Sequence, residues 1–443
     1  MAITDDFNNQ PLTQDQRNAL IARMQAAWAK LSPAQQDQLK PLLDNANQQL
    51  SQFLTTGRPP DHAVRPILRM KSYLTNDYEG QVQTLTARAA APPGAAEALQ
   101  ISVGPGGEIL GTGKYEELDL LWELVAGTVW LENILHRHPF PPGTPKLVRI
   151  ADKVTIALAG DFGTGNFGAS DSPSTKISKF IPTLSPDITI HLGDVYYAGT
   201  SGEEQNKLMS YWPKGSFGSF ALNSNHEMYS GGGPYFNEAV GGPVFNKYQS
   251  PFSFFALENQ NWIIVGLDSA YEAGAFDLYM NASLGKTSQL AWLKGIAQHA
   301  MQTRQKVILL THHNGLPEDG NFGNRLGLYN EVMSAFSGFD LPAYWYWGHV
   351  HAGIAYKPDG NLVLCRCAGH GALPWGLASE LKNNPNVDWY ESCSANDANS
   401  PLRVYNGFVF LKFDGATMTE TFYDETGRVA WTPQGGDPRK CAK

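Results

Sequence analysis

The sequence has few cysteines and no long apolar run, and both shortages exclude whole classes of protein. Four cysteines in 443 residues are too few for the disulfide framework of a small secreted domain. No stretch approaches the roughly 18 consecutive apolar residues of a transmembrane helix, so we expect no membrane span. The first residues, MAITDDFNNQ, lack the basic start and apolar stretch of a secretory signal peptide. We therefore expect a cytoplasmic protein, with export as the open alternative.

The cysteines predict free thiols more readily than a bridge. Cys365 and Cys367 alternate within an apolar run, which is typical of a buried strand. Cys393 and Cys441 could form a disulfide, but nothing else in the sequence supports that pairing. Because a chain without a leader is expected in a reducing compartment, we predict free thiols, with a Cys393–Cys441 bridge as the alternative.

Positive charge is scarce as well. The chain has 33 lysines and arginines against 42 acidic residues, a formal net charge of −9, and no long basic run. An acidic surface is a poor default binder of nucleic acid, and no polybasic segment is present to bind a membrane surface. We therefore expect neither nucleic acid nor membrane among the partners, and the oligomeric state is not predicted.

What the sequence does contain is a globular composition, with 42% hydrophobic and 17% charged residues. Its length allows two or three domains. Residues 1–145 predict a mainly helical region of unknown role. Helical spacing indicates two helices within 13–54 and a longer helix over 115–137, while apolar runs around a glycine-rich turn at 104–107 indicate a hairpin. The proline-rich segment 139–143 predicts the boundary, so residues 146–443 form the second domain.

The second domain predicts an α/β fold, because short apolar runs alternate with helix-like stretches such as Ser288–Ala300. The strand-like runs are Val154–Ala159, Ile188–Leu192, Phe217–Leu222, Trp262–Leu267, Val307–Leu310 and Tyr344–Trp347. In sheets covered by helices on both faces, ligands bind beyond the carboxyl ends of the strands. The polar residues of this domain are concentrated at those ends.

Five polar clusters follow these apolar runs. They are Gly160-Asp161-Phe162-Gly163, Gly193-Asp194-Val195-Tyr196-Tyr197, Asn223-Ser224-Asn225-His226-Glu227, Thr311-His312-His313 and Gly348-His349-Val350-His351. Glycine before Asp or His lets the backbone turn sharply and approach an ion closely. Oxygen and imidazole ligands together suit iron, manganese or zinc. Each cluster alone is more often an ordinary turn or a buried histidine, but the ordered set of five predicts a metal site.

The ordered set resembles the calcineurin-like metallophosphoesterase superfamily, whose motifs run Asp, Gly-Asp, Gly-Asn-His-Asp/Glu, His and Gly-His-x-His. The resemblance covers residues 146–424 and implies a β-sandwich of two mixed sheets flanked by helices. Two details are similar to purple acid phosphatases. Gly163 stands where most members have a histidine ligand, and the second motif continues to Tyr197, which would supply a tyrosinate instead.

The resemblance implies a binuclear centre and a residue for each ligand position. The first metal would be held by Asp161, Asp194, Tyr197 and His351, and the second by Asp194, Asn225, His312 and His349, with Asp194 bridging. A hard phenolate suits Fe(III) at the first position. The imidazoles and the neutral amide suit a divalent ion, Fe, Zn or Mn, at the second.

Two further residues of these motifs, His226 and His313, have expected roles, and a third, Ser224, departs from the family pattern. His226 would contact a phosphate oxygen and protonate the leaving alcohol as the general acid. The family motif favours His312 over His313 as the ligand, so that His313 would face substrate or support the ligands from behind. Ser224 stands where the family usually has glycine, and serine adopts a positive φ less freely.

The resemblance favours hydrolysis of a small phosphate ester, most simply a phosphomonoester, by a metal-bound hydroxide. One alternative is a phosphodiesterase acting on cyclic nucleotides or lipid head groups, because metals and general acid would serve both reactions. The loops at 228–250, 314–330 and 370–400 would separate these two. The other alternative is a scaffold that kept the fold and binds metal without catalysis, although such proteins are expected to lose ligands and this chain fills every position.

Overall fold

The computed structural model of the chain describes residues 14–41, 44, 48, 120–167, 171–285, 287–358, 360–378, 381–397 and 403–435. The predicted hairpin near 104–107, the start of the predicted helix over 115–137, and Cys441 lie outside these ranges. The described strands form two sheets, one of eight strands and one of six.

Both sheets are mixed. The six-stranded sheet has the order β14-β13-β12-β2-β3-β4, and the eight-stranded sheet has the order β1-β5-β6-β7-β8-β10-β9-β11. The strands are β1 Leu147–Arg149, β2 Lys153–Ala159, β3 Ile188–His191, β4 Gly218–Ala221, β5 Phe255–Glu258, β6 Trp262–Gly266, β7 Lys306–Thr311, β8 Tyr344–Trp347, β9 Gly353–Tyr356, β10 Leu364–Ala368, β11 Val387–Tyr390, β12 Gly407–Asp414, β13 Thr417–Asp424 and β14 Val429–Trp431.

The helices surround these sheets. They are α1 Gln14–Lys30, α2 with described residues 33–41, α3 Leu120–Asn133, α4 Pro173–Phe180, α5 Ser201–Glu203, α6 Asn225–Tyr229, α7 Gln289–Thr303 and α8 Gly327–Ala335. Wider helical turns cover Glu204–Met209 and Tyr235–Val240, and tighter ones Ile181–Leu184, Ala275–Asp277 and Phe322–Asn324. None of the described helices has the length and apolar character needed to cross a membrane.

The two sheets pack face to face around one apolar core. Ile156, Ile190 and Phe220 of the six-stranded sheet meet Ile264 and Leu310 of the eight-stranded sheet there. The outer faces are also apolar, and helices cover them: α4 lies over the six-stranded sheet, and α7 and α8 over the eight-stranded one. Burial on both faces explains the continuous apolar runs of the central strands. The predicted sandwich of two mixed sheets flanked by helices is therefore confirmed.

The amino-terminal helices share a core with the loops above the sheets. Leu20 and Met24 of α1 and Trp130 of α3 are buried together with Tyr197 and Tyr279 of the second predicted domain. The indole Nε1 of Trp130 donates to the carbonyl oxygen of Ala275 at 2.7 Å. The helical region of residues 14–41 and 120–133 thus packs against the same loops that carry the polar clusters.

The cysteines differ partly from expectation. Cys365 and Cys367 are buried free thiols on β10, as predicted from their alternation. The prediction of a free thiol is wrong for Cys393, which is disulfide-bonded.

Candidate metal centre

The five polar clusters meet at one end of the sandwich. β2, β3 and β4 run parallel in one sheet, and β6, β7 and β8 run parallel in the other. Parallel strands bring their carboxyl ends to the same edge, so the residues that follow them converge. Asp161, Asp194 and Asn225 follow β2, β3 and β4 of the six-stranded sheet. His312 and His349 follow β7 and β8 of the eight-stranded sheet.

The turns after these strands hold their side chains in an uncommon backbone conformation. Asp161, Asp194, His349 and His351 all have positive φ angles, between 56° and 78°. Such angles are unfavourable for residues other than glycine and are concentrated at functional sites. The neighbouring glycine is needed for close approach, because a Cβ on Gly348 would lie 2.7 Å from Oδ2 of Asp161. The backbone amide of His349 donates to that same oxygen at 2.9 Å.

One group of ligand atoms combines two carboxylates, a phenol and an imidazole. The hydroxyl of Tyr196 lies 3.1 Å from Oδ1 of Asp161 and 2.8 Å from Oδ2 of Asp194. It also lies 3.3 Å from Nε2 of His351, which is itself 3.4 Å from Oδ1 of Asp161. This group is rich in oxygen and could hold a hard cation.

A second group is rich in nitrogen. Nε2 of His312 lies 3.0 Å from Oδ1 of Asn225, 3.2 Å from Nδ1 of His349 and 3.2 Å from Oδ1 of Asp194. The other nitrogen of His312 faces the carbonyl oxygen of Leu192 at 2.9 Å, which orients the ring. A second hydrogen bond of this kind fixes the tautomer of metal-binding histidines.

Asp194 connects the two groups. Its Oδ2 faces Tyr196 and its Oδ1 faces His312. A carboxylate that offers one oxygen to each of two neighbouring groups can bridge two cations.

The electrostatics of the site favour cation binding. Burial, and then the negative charge of Asp194, raise the pKa of Asp161 well above its usual range. Burial acts in the same direction on Asp194, but the imidazoles of His226 and His312 outweigh it and hold its pKa well below the ordinary value. Burial also lowers the pKa of His312 and of His349. Neutral imidazoles are the form that binds metals.

The donor set fits a pair of metal ions. Asp161 and Asp194 are both fully buried, and no lysine or arginine among the described residues forms a salt bridge with either. Buried carboxylates without a cation are costly, so such a pair is expected to bind one. Two clusters of acidic and histidine side chains in the described chain are close enough to hold an ion, Asp161–Asp194–His351 and His312–His313–His349.

The remaining predicted residues lie beside these groups. Nδ1 of His226 lies 2.7 Å from the carbonyl oxygen of Tyr197, which assigns the proton to that nitrogen and leaves Nε2 on the side of Asp194, at 3.9 Å. His313 is buried, and both its nitrogens have protein partners, the hydroxyl of Ser269 at 2.9 Å and the carbonyl oxygen of Tyr279 at 3.0 Å.

The structure differs from the sequence expectation at the tyrosine. It places the hydroxyl of Tyr196, the preceding residue, between the two aspartates. The ring of Tyr197 lies instead under the ammonium group of Lys207, 4.8 Å from its centre. The family spacing pointed to Tyr197, and only the adjacency of two tyrosines in the sequence could have suggested Tyr196.

Sequence reasoning also missed the contacts that support the ligands. The hydroxyl of Ser224 donates to Oδ1 of Asp194 at 2.5 Å, a contact that its departure from the family motif does not reveal. Trp375 packs edge-on against His351, with ring centres 5.0 Å apart. His351, 19% exposed, and the partly exposed His349 and Trp375 form the open side of the site.

The comparisons with known proteins agree with this arrangement. Residues 154–353 match the family model described as calcineurin-like phosphoesterase. No curated protein matches the chain. The matched range includes all five clusters.

Two solved structures are among those similar to this chain. A dimetal phosphatase from Danio rerio is 12% identical, with a TM-score of 0.42, covering 61% of this chain and 96% of its own. GAP50, the anchor in the inner membrane complex of Plasmodium, is 13% identical, with a TM-score of 0.45, covering 65% of this chain and 90% of its own.

Proposed function

We propose that this protein hydrolyses phosphate esters at a centre of two metal ions, since residues 154–353 match the calcineurin-like phosphoesterase family model. The observation that carries the proposal is the position of Asp194. Its two oxygens face separate groups of ligand atoms, one with Tyr196 and one with His312.

We further propose the metals and the residues that hold them. Asp161, Asp194, Tyr196 and His351 would hold Fe(III), because carboxylates and a phenolate are hard ligands. Asp194, Asn225, His312 and His349 would hold a divalent ion, Fe, Zn or Mn. When bound, the two ions supply Lewis acidity, which activates a water molecule and neutralises charge on the phosphoryl oxygens.

The substrate we propose is a small phosphomonoester, as in purple acid phosphatases. Its support is the depth of the site: Asp161, Asp194, Asn225, His226 and His312 are all buried, and the open side is formed by His349 and His351. A small terminal phosphate reaches such a site more easily than a phosphate flanked on both sides.

His226 would orient the substrate and act as the general acid. The hydrogen bond from its Nδ1 to the carbonyl oxygen of Tyr197 fixes the ring. Nε2 then faces the carboxylate of Asp194, at the junction of the two ligand groups. When His226 binds a second proton, at Nε2, that proton would pass to the leaving alcohol oxygen as the bond to phosphorus breaks. His313 would support His349 and the loop at Tyr279, because its two nitrogens already have protein partners.

The test combines metal content with activity. We expect the wild-type protein to bind two metal ions and to hydrolyse p-nitrophenyl phosphate faster than its diester, bis(p-nitrophenyl) phosphate. Asp194→Asn should lose both metal and activity, whereas the matched variant Asp388→Asn, at an exposed position of β11, should lose neither. A protein that binds two ions but hydrolyses neither ester would contradict the proposed function, and faster diester hydrolysis would replace the proposed substrate.

The role of His226 has its own measurement. His226→Asn should keep both metal ions and lower kcat by a factor of about 10² to 10⁴, the usual contribution of a general acid. His136→Asn, at an exposed position after α3, is the control. Loss of metal from His226→Asn would show that the residue maintains the centre and would remove the argument for proton transfer.

A further inference from the structure

Two adjacent tyrosines follow Asp194, and their side chains lie in different surroundings. The hydroxyl of Tyr196 lies within 3.3 Å of Asp161, Asp194 and His351. The ring of Tyr197 packs against Lys207, and both tyrosine rings belong to the apolar core that contains α1 and α3. The hydroxyl that joins the carboxylates is thus one position nearer to Asp194 than the family spacing expects.

Glu203 fixes the backbone that carries these tyrosines. Its carboxylate accepts the backbone N–H of Tyr197, that of Ala198 at 2.9 Å and that of Thr200 at 3.2 Å. Its side chain is only 7% exposed. Burial alone raises the pKa of Glu203, but Lys207 and these backbone donors outweigh it and lower the pKa below the ordinary value, which keeps the group charged.

Lys207 holds the same stretch of backbone from the other side, and the ion pair of Glu203 and Lys207 is called the clamp below. Its ammonium group donates to the carbonyl oxygen of Tyr196 at 2.7 Å and pairs with Glu203 at 3.2 Å. It also lies 4.8 Å from the centre of the Tyr197 ring, within the range of a cation–π interaction. The ion pair of Glu203 and Lys207 therefore holds the carbonyl group of Tyr196 and both the backbone amide and the ring of Tyr197.

The clamp explains why the side chain of Tyr196, and not that of Tyr197, lies among the aspartates. Rotating this segment to bring Tyr197 among the aspartates would break the hydrogen bonds from Glu203 and Lys207 and the contact of Lys207 with the Tyr197 ring. The segment has little room to do so, since Gly199 at φ 53° packs so closely that a Cβ there would lie 2.5 Å from Cα of Glu227.

We propose that Tyr196, rather than Tyr197, is the tyrosine that binds the first metal ion, and that Glu203 and Lys207 are positioning residues that hold it there. The inference rests on the proposed function for the existence of the metal centre, but it assigns the ligand from contacts in this chain. Tyr196 would hold the ion as the phenolate, with its proton released to solvent.

The test uses the visible absorption of Fe³⁺ bound to a tyrosinate, which does not depend on turnover. Protein loaded with Fe³⁺ and Zn²⁺ should absorb in the visible range. Tyr196→Phe should lose that band, because the phenolate that gives rise to it is absent, and Tyr197→Phe should keep it. Iron content is measured alongside. Loss of the band in Tyr197→Phe with retention in Tyr196→Phe would overturn the inference, as would iron bound without any band.

The clamp is tested with Lys207→Met and Glu203→Gln. Each should shift or weaken the band while circular dichroism stays unchanged, and Lys207→Arg should restore it in part. Lys214→Met, an exposed lysine nearby in sequence, should leave the band unchanged. If one variant fails to fold, the other decides. An unchanged band in both folded variants would remove the positioning role.

The two proposals can fail separately. A Tyr196-dependent band in a protein without phosphoesterase activity would overturn the proposed function and leave the ligand assignment intact. Phosphoesterase activity together with a band that depends on Tyr197 would overturn the ligand assignment and leave the proposed function intact.

Discussion

At the scale of single residues, His191 carries a buried imidazole without hydrogen bonds. It ends β3, three positions before Asp194, and neither of its ring nitrogens has a partner among the described residues. The rings of Phe162 and Trp212 pack against it edge-on, with centres 6.4 and 5.1 Å away. Burial lowers its pKa to about 3. Such a residue is tolerated only while it is neutral.

His191 should therefore make stability depend on pH. The folded pKa lies below that of the unfolded chain, so the folded state binds fewer protons and loses stability as the pH falls below about 6.5. The pKa near 3 corresponds to a loss of about 2 kcal/mol between pH 7 and pH 5. His191→Leu should remove this loss and gain about 1 kcal/mol at pH 7, because two unpaired polar atoms leave the core.

The measurement is urea unfolding of metal-free protein at both pH values. Subtracting the variant from the wild type isolates the contribution of His191 from that of the other histidines. His136→Leu, at an exposed position, should keep the wild-type dependence on pH. If the free energy of unfolding changes equally with pH in the wild type and in His191→Leu, the imidazole of His191 has a partner in solution.

The kinds of ligand could be predicted from sequence, but the choice between neighbours could not. Asp161, Asp194 and His349 each follow an apolar run and a glycine, and the alternation of such runs with helix-like stretches indicates a sheet that binds ligands at the carboxyl ends of its strands. The selection of Tyr196 over Tyr197 depends on Glu203 and Lys207, which lie up to 11 positions further on. Contacts of that kind leave no periodic pattern in the sequence.

At the scale of secondary structure, the short helix α6 is held by the residue that precedes it. Ser224 has φ −137° and ψ 177°, so this turn requires no glycine. Its hydroxyl accepts the backbone N–H of His226 at 3.1 Å and donates to Oδ1 of Asp194 at 2.5 Å. The same side chain also contacts the carboxyl of Glu227. One hydroxyl thus connects the start of the helix that carries Asn225 with the candidate bridging carboxylate.

Replacing Ser224 should affect both the helix and the metal centre. Ser224→Ala should cost about 1 kcal/mol of stability from the lost helix cap. It should also weaken binding of the second metal ion by about 10-fold or more, since outer contacts orient metal ligands. Ser224→Gly, although glycine is the residue usual in the family, should behave in the same way because it also lacks the hydroxyl.

Metal titration followed by competition with a chelator measures this effect. Ser216→Ala, at an exposed position before β4, is the control. Tighter or unchanged metal binding in Ser224→Gly would show that backbone freedom, and not the hydroxyl, governs the site.

The strands themselves were well predicted, whereas their pairing was not. All six predicted strands are present within one residue of their expected ends, and the helix predicted at 288–300 is present and ends three residues later. The runs were readable because these strands are buried on both faces. The order of strands in each sheet, and the addition of β1 as an edge strand beside β5, depend on long-range contacts that local patterns do not encode.

At the scale of the whole molecule, the amino-terminal helices were predicted as a region separate from the catalytic domain, with a boundary at 145. The structure shows one apolar core across that boundary, in which Trp130 and Leu124 of α3 are buried with Met228 and Tyr229 of α6. The proline-rich segment that suggested the boundary marks a turn in the chain. Sequence composition can locate such a turn, but it does not tell whether the segments on either side pack together.

This shared core predicts that the helical region and the metal centre unfold together. Trp130 is fully buried, and its indole donates to the carbonyl oxygen of Ala275. Trp130→Ala should destabilise the protein by about 3–5 kcal/mol, through lost burial and a cavity. It should also release metal at lower urea, because α3 supports α6.

Leu135→Ala, at a side chain that is 48% exposed just after the same helix, should change stability by less than about 0.5 kcal/mol. Circular dichroism and metal release, recorded on the same urea series, should give coincident transitions in the wild type and shift together in Trp130→Ala. Two separate transitions, with metal retained after the helices have melted, would show instead that residues 146–443 hold the centre without the amino-terminal helices.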